Sequence, residues 1–181
     1  MNNNILIAYF SRADQNYFGG KIVALPVGNT EVIMKKISEQ IGGTLFKINP
    51  LKKYSVDYQI CTEEAKKELN ENARPPLSDY LDKAEIYNPI ILGYPIYWGT
   101  MPMPVWTFLE HYDFSGKTIF PVCTHEGSGL GRSVEDIRRI CPTADVRNGF
   151  AIRGSDVNRA QNEIDRWLKE EGLPHSRPDR S

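Results

Sequence analysis

Three short clusters carry the residue types that could do chemistry. Ser11, and after a gap Asn29 and Thr30, put hydroxyl and amide donors where a first helix begins. Backbone N–H groups at a helix start lack partners, and the helix dipole favours an anion there. Tyr97 and Trp98 lie in Gly93-Tyr94-Pro95-Ile96-Tyr97-Trp98-Gly99-Thr100, between an apolar run and a helix opening near Pro104. An aromatic pair there suits a flat, π-rich ligand; it equally suits a corner packed on the core. Thr124-His125-Glu126-Gly127 offers an acid–base pair, although neighbours in sequence need not face each other and no matching nucleophile accompanies them. Ser128 does not make a hydrolase elbow, because Glu126 stands where G-x-S-x-G needs glycine.

The elements that must position these clusters alternate strand and helix. Apolar runs Ile5–Phe10, Thr44–Ile48, Ile86–Leu92, Thr118–Cys123 and Asp145–Ile152 read as five strands, the last split by Gly149. Helical spacing covers Thr30–Ile41, Thr62–Glu71, Val105–His111, Ser133–Ile140 and Val157–Leu168. Ser11–Gly28 reads as a loop with an extended piece at Lys21–Leu25. The alternation predicts an α/β three-layer sandwich with a five-stranded parallel sheet. In strand order 2-1-3-4-5 the connections after strands 1, 3 and 4 meet at the switch point, and these are the three that carry the clusters.

Composition bounds the function. At 181 residues the chain reads as one domain over 1–181, with a polar tail from about 172. A net charge of -1 leaves no basic surplus for nucleic acid. No apolar run approaches the ~20 residues of a membrane span, and Met-Asn-Asn-Asn lacks a signal-peptide pattern. Cys61, Cys123 and Cys141 form no C-x-x-C pair, which suggests reduced thiols in a cytoplasm and no metal site.

Taken in order, Ile5-Leu6-Ile7-Ala8-Tyr9-Phe10-Ser11-Arg12, Gly28-Asn29-Thr30, Gly93-Tyr94-Pro95-Ile96-Tyr97-Trp98-Gly99 and Thr124-His125-Glu126-Gly127-Ser128-Gly129 resemble the flavodoxin family, from roughly Asn4 to Leu168. The resemblance is to the branch in which the phosphate loop is interrupted, here by the sixteen residues Ala13–Gly28. It implies non-covalent FMN and redox chemistry. The implied cofactor residues are Ser11, Arg12, Ala13, Asn29 and Thr30 at the phosphate, Pro95, Ile96, Tyr97, Trp98 and Gly99 beside the ring, and Thr124, His125, Glu126 and Gly127 at its edge. Arg12 is expected either as a charged donor or in a surface ion pair. Tyr97 or Trp98 would stack on the ring, Gly99 would let a peptide reorient beside it, and Tyr17 and Phe18 would either cover a bound ligand as a lid or pack on the surface.

The resemblance leaves two functions open. One is an FMN-dependent reductase taking hydride from NAD(P)H to a quinone or similar small acceptor. The other is a one-electron carrier between protein partners. Such carriers are typically very acidic, because opposite charge speeds encounter, and this chain is nearly balanced. A flavin-binding fold kept for sensing or protein binding is a third class.

Overall fold

In the computed structural model, which describes residues 4–174, the first apolar run forms β1 (Leu6–Tyr9), buried at every position. Its side chains alternate between two cores, as a pleat with period two requires. Leu6 and Ala8 face the cluster that holds Phe108, Leu109 and Ile137. Ile7 and Tyr9 face the one that holds Ile33, Ile37, Ile164 and Leu168. A strand apolar on both faces is stable only between two helical layers, so β1 is central.

Around it the sheet runs β4 (Thr44–Lys47), β1, β5 (Ile90–Pro95), β6 (Thr118–His125), then β7 (Asp145–Val146) and β8 (Phe150–Arg153), both pairing with β6. All of these pairings are parallel. Counting β7 and β8 as one interrupted position gives the expected order 2-1-3-4-5. Helices α1 (Asn29–Ile41) and α5 (Gln161–Glu170) cover one face; α3 (Met103–His111) and α4 (Ser133–Ile140) cover the other, with α2 (Tyr58–Asn70) contributing Leu69 there.

Several boundaries differ from the sequence reading. The third strand begins at Ile90 and runs through Pro95, rather than covering Ile86–Leu92. Pro89 has no N–H to give a ladder, so pairing starts after it, and Ala84–Ile86 is a short 3-10 turn. Gly93 and Tyr94 are therefore buried strand residues, not loop. Helix α2 starts at Tyr58, not Thr62, because the Asp57 carboxylate caps it by accepting from Ile60 N–H at 2.9 Å. The last helical stretch is a 3-10 segment, Gly154–Arg159, followed by α5.

The interrupting segment is an antiparallel hairpin rather than an open loop, and the expected extended piece Lys21–Leu25 is its second strand. Strands β2 (Asp14–Phe18) and β3 (Lys21–Leu25) are joined at Gly19-Gly20. Both glycines have positive φ, 59° and 90°, as a two-residue primed turn demands. Within the described residues no helix is long and apolar enough to cross a membrane. Met1–Asn3 of the polar N-terminus and residues 175–181 of the predicted tail lie outside the described residues.

Candidate functional site

Helix α1 begins directly after Gly28, whose carbonyl accepts from Val32 N–H at 3.2 Å. No side chain of Gly28 can cap the helix; Ser11 does so from β1's end, its Oγ accepting from Glu31 N–H at 3.0 Å. Helix geometry leaves the N–H groups of Asn29 and Thr30 without intrahelical acceptors. Thr30 Oγ1 is 2.7 Å from Thr124 Oγ1, which ties this donor cluster to the end of β6. The approach is close enough to require glycine: a Cβ at position 28 would stand 2.2 Å from Ser11 Oγ and 2.5 Å from the Arg12 carbonyl oxygen. The cluster is neutral, compact and donor-rich, which suits a phosphate monoester.

The aromatic wall is a tight turn. Tyr97 N–H donates to Thr100 O at 2.8 Å and Thr100 N–H donates back to Tyr97 O at 3.2 Å. The central residues Trp98 and Gly99 have φ of 52° and 81°. Positive φ is costly for a bulky residue and persists only where surroundings hold it. Trp98 is held by its Nε1, which donates to Thr62 O at 2.8 Å, and by the Lys66 ammonium 4.7 Å from its ring centre. Tyr97 packs edge-on to Phe10 and Tyr54, with ring centres 5.9 and 6.0 Å away. Burial holds its phenol well above the ordinary value. Gly99 O accepts from Arg132 N–H at 2.9 Å, which ties the Gly99–Thr100 peptide to the start of α4. Behind the turn, Thr100 Oγ1 donates to the buried Asp136 carboxylate at 2.6 Å.

The Arg12 guanidinium is spent on the wall. It donates to Ser55 O, Val56 O and Gln15 O, bolting the base of the hairpin to the start of α2. Gln15 reinforces this junction by accepting from Tyr58 N–H at 3.0 Å. On the far wall, His125 Nδ1 accepts from Gly127 N–H at 2.9 Å, so the neutral ring carries its proton on Nε2. Burial, and then the Arg153 charge, lower the pKa of His125 below its usual value. Glu126 accepts from Ser155 N–H at 2.8 Å and from Gly19 N–H, at the hairpin tip, at 3.2 Å. His125 and Glu126 therefore each serve a different backbone donor and do not form an acid–base pair.

These walls enclose a cavity of about 470 Å3. Its size falls within the ~300–1,000 Å3 usual for small-molecule sites. Of the residues expected at a cofactor, Ser11, Arg12, Asn29 and Thr30 line it at one end. Pro95, Ile96, Tyr97 and Trp98 line one side, and Thr124, His125 and Glu126 the other. Ala13, Gly99 and Gly127 are not in the lining. Sequence reasoning missed the α2 wall of Tyr58, Gln59, Cys61, Thr62 and Ala65, together with Asn16 and Gly154. The Asp57 cap was the available signal for α2, since a helix drawn from Asp57 would have carried Tyr58 and Cys61 on its first two turns. Tyr17 of the hairpin lines the cavity, whereas Phe18 does not.

The fold and site define an α/β protein with a small-molecule-sized cavity at the switch point of its parallel sheet. The sequence profile of the flavodoxin family matches residues 4–171, and the chain belongs to that family. It is similar to a protein from Bacteroides eggerthii classed as a flavoprotein, at 26% identity and a TM-score of 0.77, over 95% of this chain and 99% of that one. A second such protein, from Bacteroides uniformis, gives 26% identity and 0.73 over 93% and 99%. A flavoprotein from Lactobacillus acidophilus, solved in complex with FMN, shares 21% identity with a TM-score of 0.63 over 91% and 98%. Comparison with curated proteins returned no match.

Proposed function

We propose that this protein binds FMN and reduces a quinone or similar small acceptor at the expense of NAD(P)H. The carrying observation is a cavity with a donor-rich end and an aromatic side, bordered by a hairpin that adds Asn16 and Tyr17 to its lining. The residues fit the cofactor. Ser11, Asn29, Thr30 and the N–H groups opening α1 would hold the phosphate, and Gly28 lets the start of α1 pack directly against Ser11 and the Arg12 carbonyl. Tyr97 and Trp98 would bound the ring, with His125 and Glu126 at its polar edge. Bound FMN supplies hydride and single-electron chemistry; the protein's part is position and electrostatics.

The chain's own groups sort by task. Tyr97 is fixed edge-on by Phe10 and Tyr54 and gives a rigid floor. His125, held in one tautomer, presents an N–H donor at Nε2. The hairpin brings Tyr17 to the cavity, with its ring centre 6.5 Å from that of Tyr58. The nearly balanced charge and the buried, free cysteines fit a cytoplasmic reductase.

The carrier reading keeps one observation in its favour. Val56, Ile60 and Trp98 are exposed apolar residues near the same wall, where a protein partner could dock. Two experiments decide. FMN is titrated against the purified protein and followed by flavin fluorescence; micromolar or tighter binding, weakened for riboflavin, is expected, and absence of binding removes the proposal. Rapid mixing of the loaded protein with NADPH or NADH, then with a benzoquinone, should bleach and restore the flavin absorbance. A loaded protein inert to both nicotinamides supports the carrier.

A further inference from the structure

The β2–β3 hairpin has no core of its own. None of its ten strand residues is buried, so its position over the cavity depends on the bonds at its two ends. The base is bolted to α2 through Arg12 and through Gln15, whose N–H donates to Val56 O at 3.3 Å and whose side chain accepts from Tyr58 N–H. The tip reaches the opposite wall, where Gly19 N–H donates to Glu126 Oε2 at 3.2 Å. Glu126 is itself oriented by Ser155 N–H on Oε1. Its carboxylate packs over Gly154, where a Cβ would come within 2.9 Å of Oε1 and 2.3 Å of Asn29 Nδ2. One glycine thus seats both the carboxylate and the side chain that opens the anion end of the cavity.

A carboxylate offers about four lone-pair directions, and these two N–H groups use two. Glu126 lines the cavity, so its remaining acceptor capacity faces whatever lies inside. We propose that Glu126 is a ligand-reading latch: the carboxylate that holds the hairpin tip across the cavity also accepts from a planar ligand's N–H edge, so that ligand and hairpin close on each other. A ligand donor on Glu126 immobilises that side chain, and the Gly19 bond then forms with less entropy to lose. The coupling is reciprocal, so the latched hairpin tightens the ligand by the same factor. The selected class is a phosphate monoester carrying a planar N–H donor edge; inorganic phosphate fills only the far end. The ligand half of this proposal rests on the FMN reading above, and the latch half does not.

Lys21, exposed beside the tip, makes latch opening measurable by trypsin without any turnover. Cleavage after Lys21 is followed by mass spectrometry, and Gly19 amide exchange gives a second readout. Without ligand, Glu126→Ala should raise the cleavage rate about fivefold, and Glu126→Gln, which keeps one acceptor, should fall between it and the wild type. FMN should slow cleavage of the wild type about tenfold and of Glu126→Ala by less than about twofold, while inorganic phosphate protects neither. Equal ligand-free rates for wild type and both variants, with unchanged Gly19 exchange, overturn the latch. Equal protection of wild type and Glu126→Ala by FMN, or protection of the wild type by phosphate alone, overturns the ligand reading. If the wild type shows no FMN binding, the FMN proposal and the ligand half fail together, while the ligand-free rates still decide the latch.

Discussion

The indole Nε1 of Trp98 donates to the carbonyl of Thr62 at 2.8 Å, which joins the β5–α3 turn to α2 across one wall of the cavity. This bond offsets part of the cost of a tryptophan at φ 52°. Trp98→Phe keeps an aromatic ring and loses the donor, and should lower stability by about 1 kcal/mol in urea unfolding. An unchanged midpoint and slope would mean that the turn holds itself without α2.

Thr100 and Asp136 fix the other side of that turn. The Asp136 carboxylate is buried, accepts from Thr100 Oγ1 at 2.6 Å, and pairs with Arg132 at 3.2 Å and Arg139 at 2.9 Å. Thr100→Val removes one of the two donors on the buried Oδ2, leaving Arg132 Nε, and should cost about 1 to 2 kcal/mol, with Thr100→Ser restoring most of it. Thermal unfolding of the two variants side by side reads the difference.

Gly28 is the position where the anion end tolerates least. An alanine Cβ there would meet the Arg12 backbone carbonyl at 2.5 Å, and backbone cannot swing aside as a side-chain end can. Gly28→Ala should weaken FMN at least about tenfold, a loss of ~1.4 kcal/mol, and riboflavin much less. Equal losses for the two ligands would place the phosphate elsewhere.

His125 gives the fold a pH dependence of defined sign. Burial and Arg153 hold its folded pKa below the unfolded value of 6.5, so between the two the unfolded chain binds more protons. Stability is full above 6.5 and is lost as pH falls through the folded pKa, where protonation also removes the Nδ1 acceptor from Gly127 N–H. Melting temperatures from pH 7.5 to 5 should decline more steeply for the wild type than for His125→Asn, whose amide oxygen can still accept. Parallel declines would show that other groups carry the acid sensitivity.

Where the structure departs from the sequence reading, the cause is a capping or pairing partner far away in the chain. Pattern and punctuation located β1, α1 and α4, since each buries a regular apolar face between clear stops, and β4 from its stops alone, as none of its residues is buried. Gly19-Gly20 and the extended Lys21–Leu25 piece were legible, but β2 before them carries no apolar alternation, and the hairpin is held by Ser55, Val56 and Glu126 instead. Arg12 shows the same limit. Its type suits phosphate, yet three carbonyls, two of them more than forty residues on, claim it first.

The amino-acid sequence alone determined the alternation of buried strands and helices, and with it the three connections that meet at the sheet's switch point. That much follows from local periodicity, because a strand apolar on both faces must lie between helical layers. Only the tertiary structure decided that Tyr97 is floor, that Trp98 is pinned to α2, that Arg12 builds the wall, and that Glu126 reaches the hairpin 107 residues away. Those roles depend on which donor meets which acceptor in space, and hydrogen bonds across folded layers leave no period in the chain.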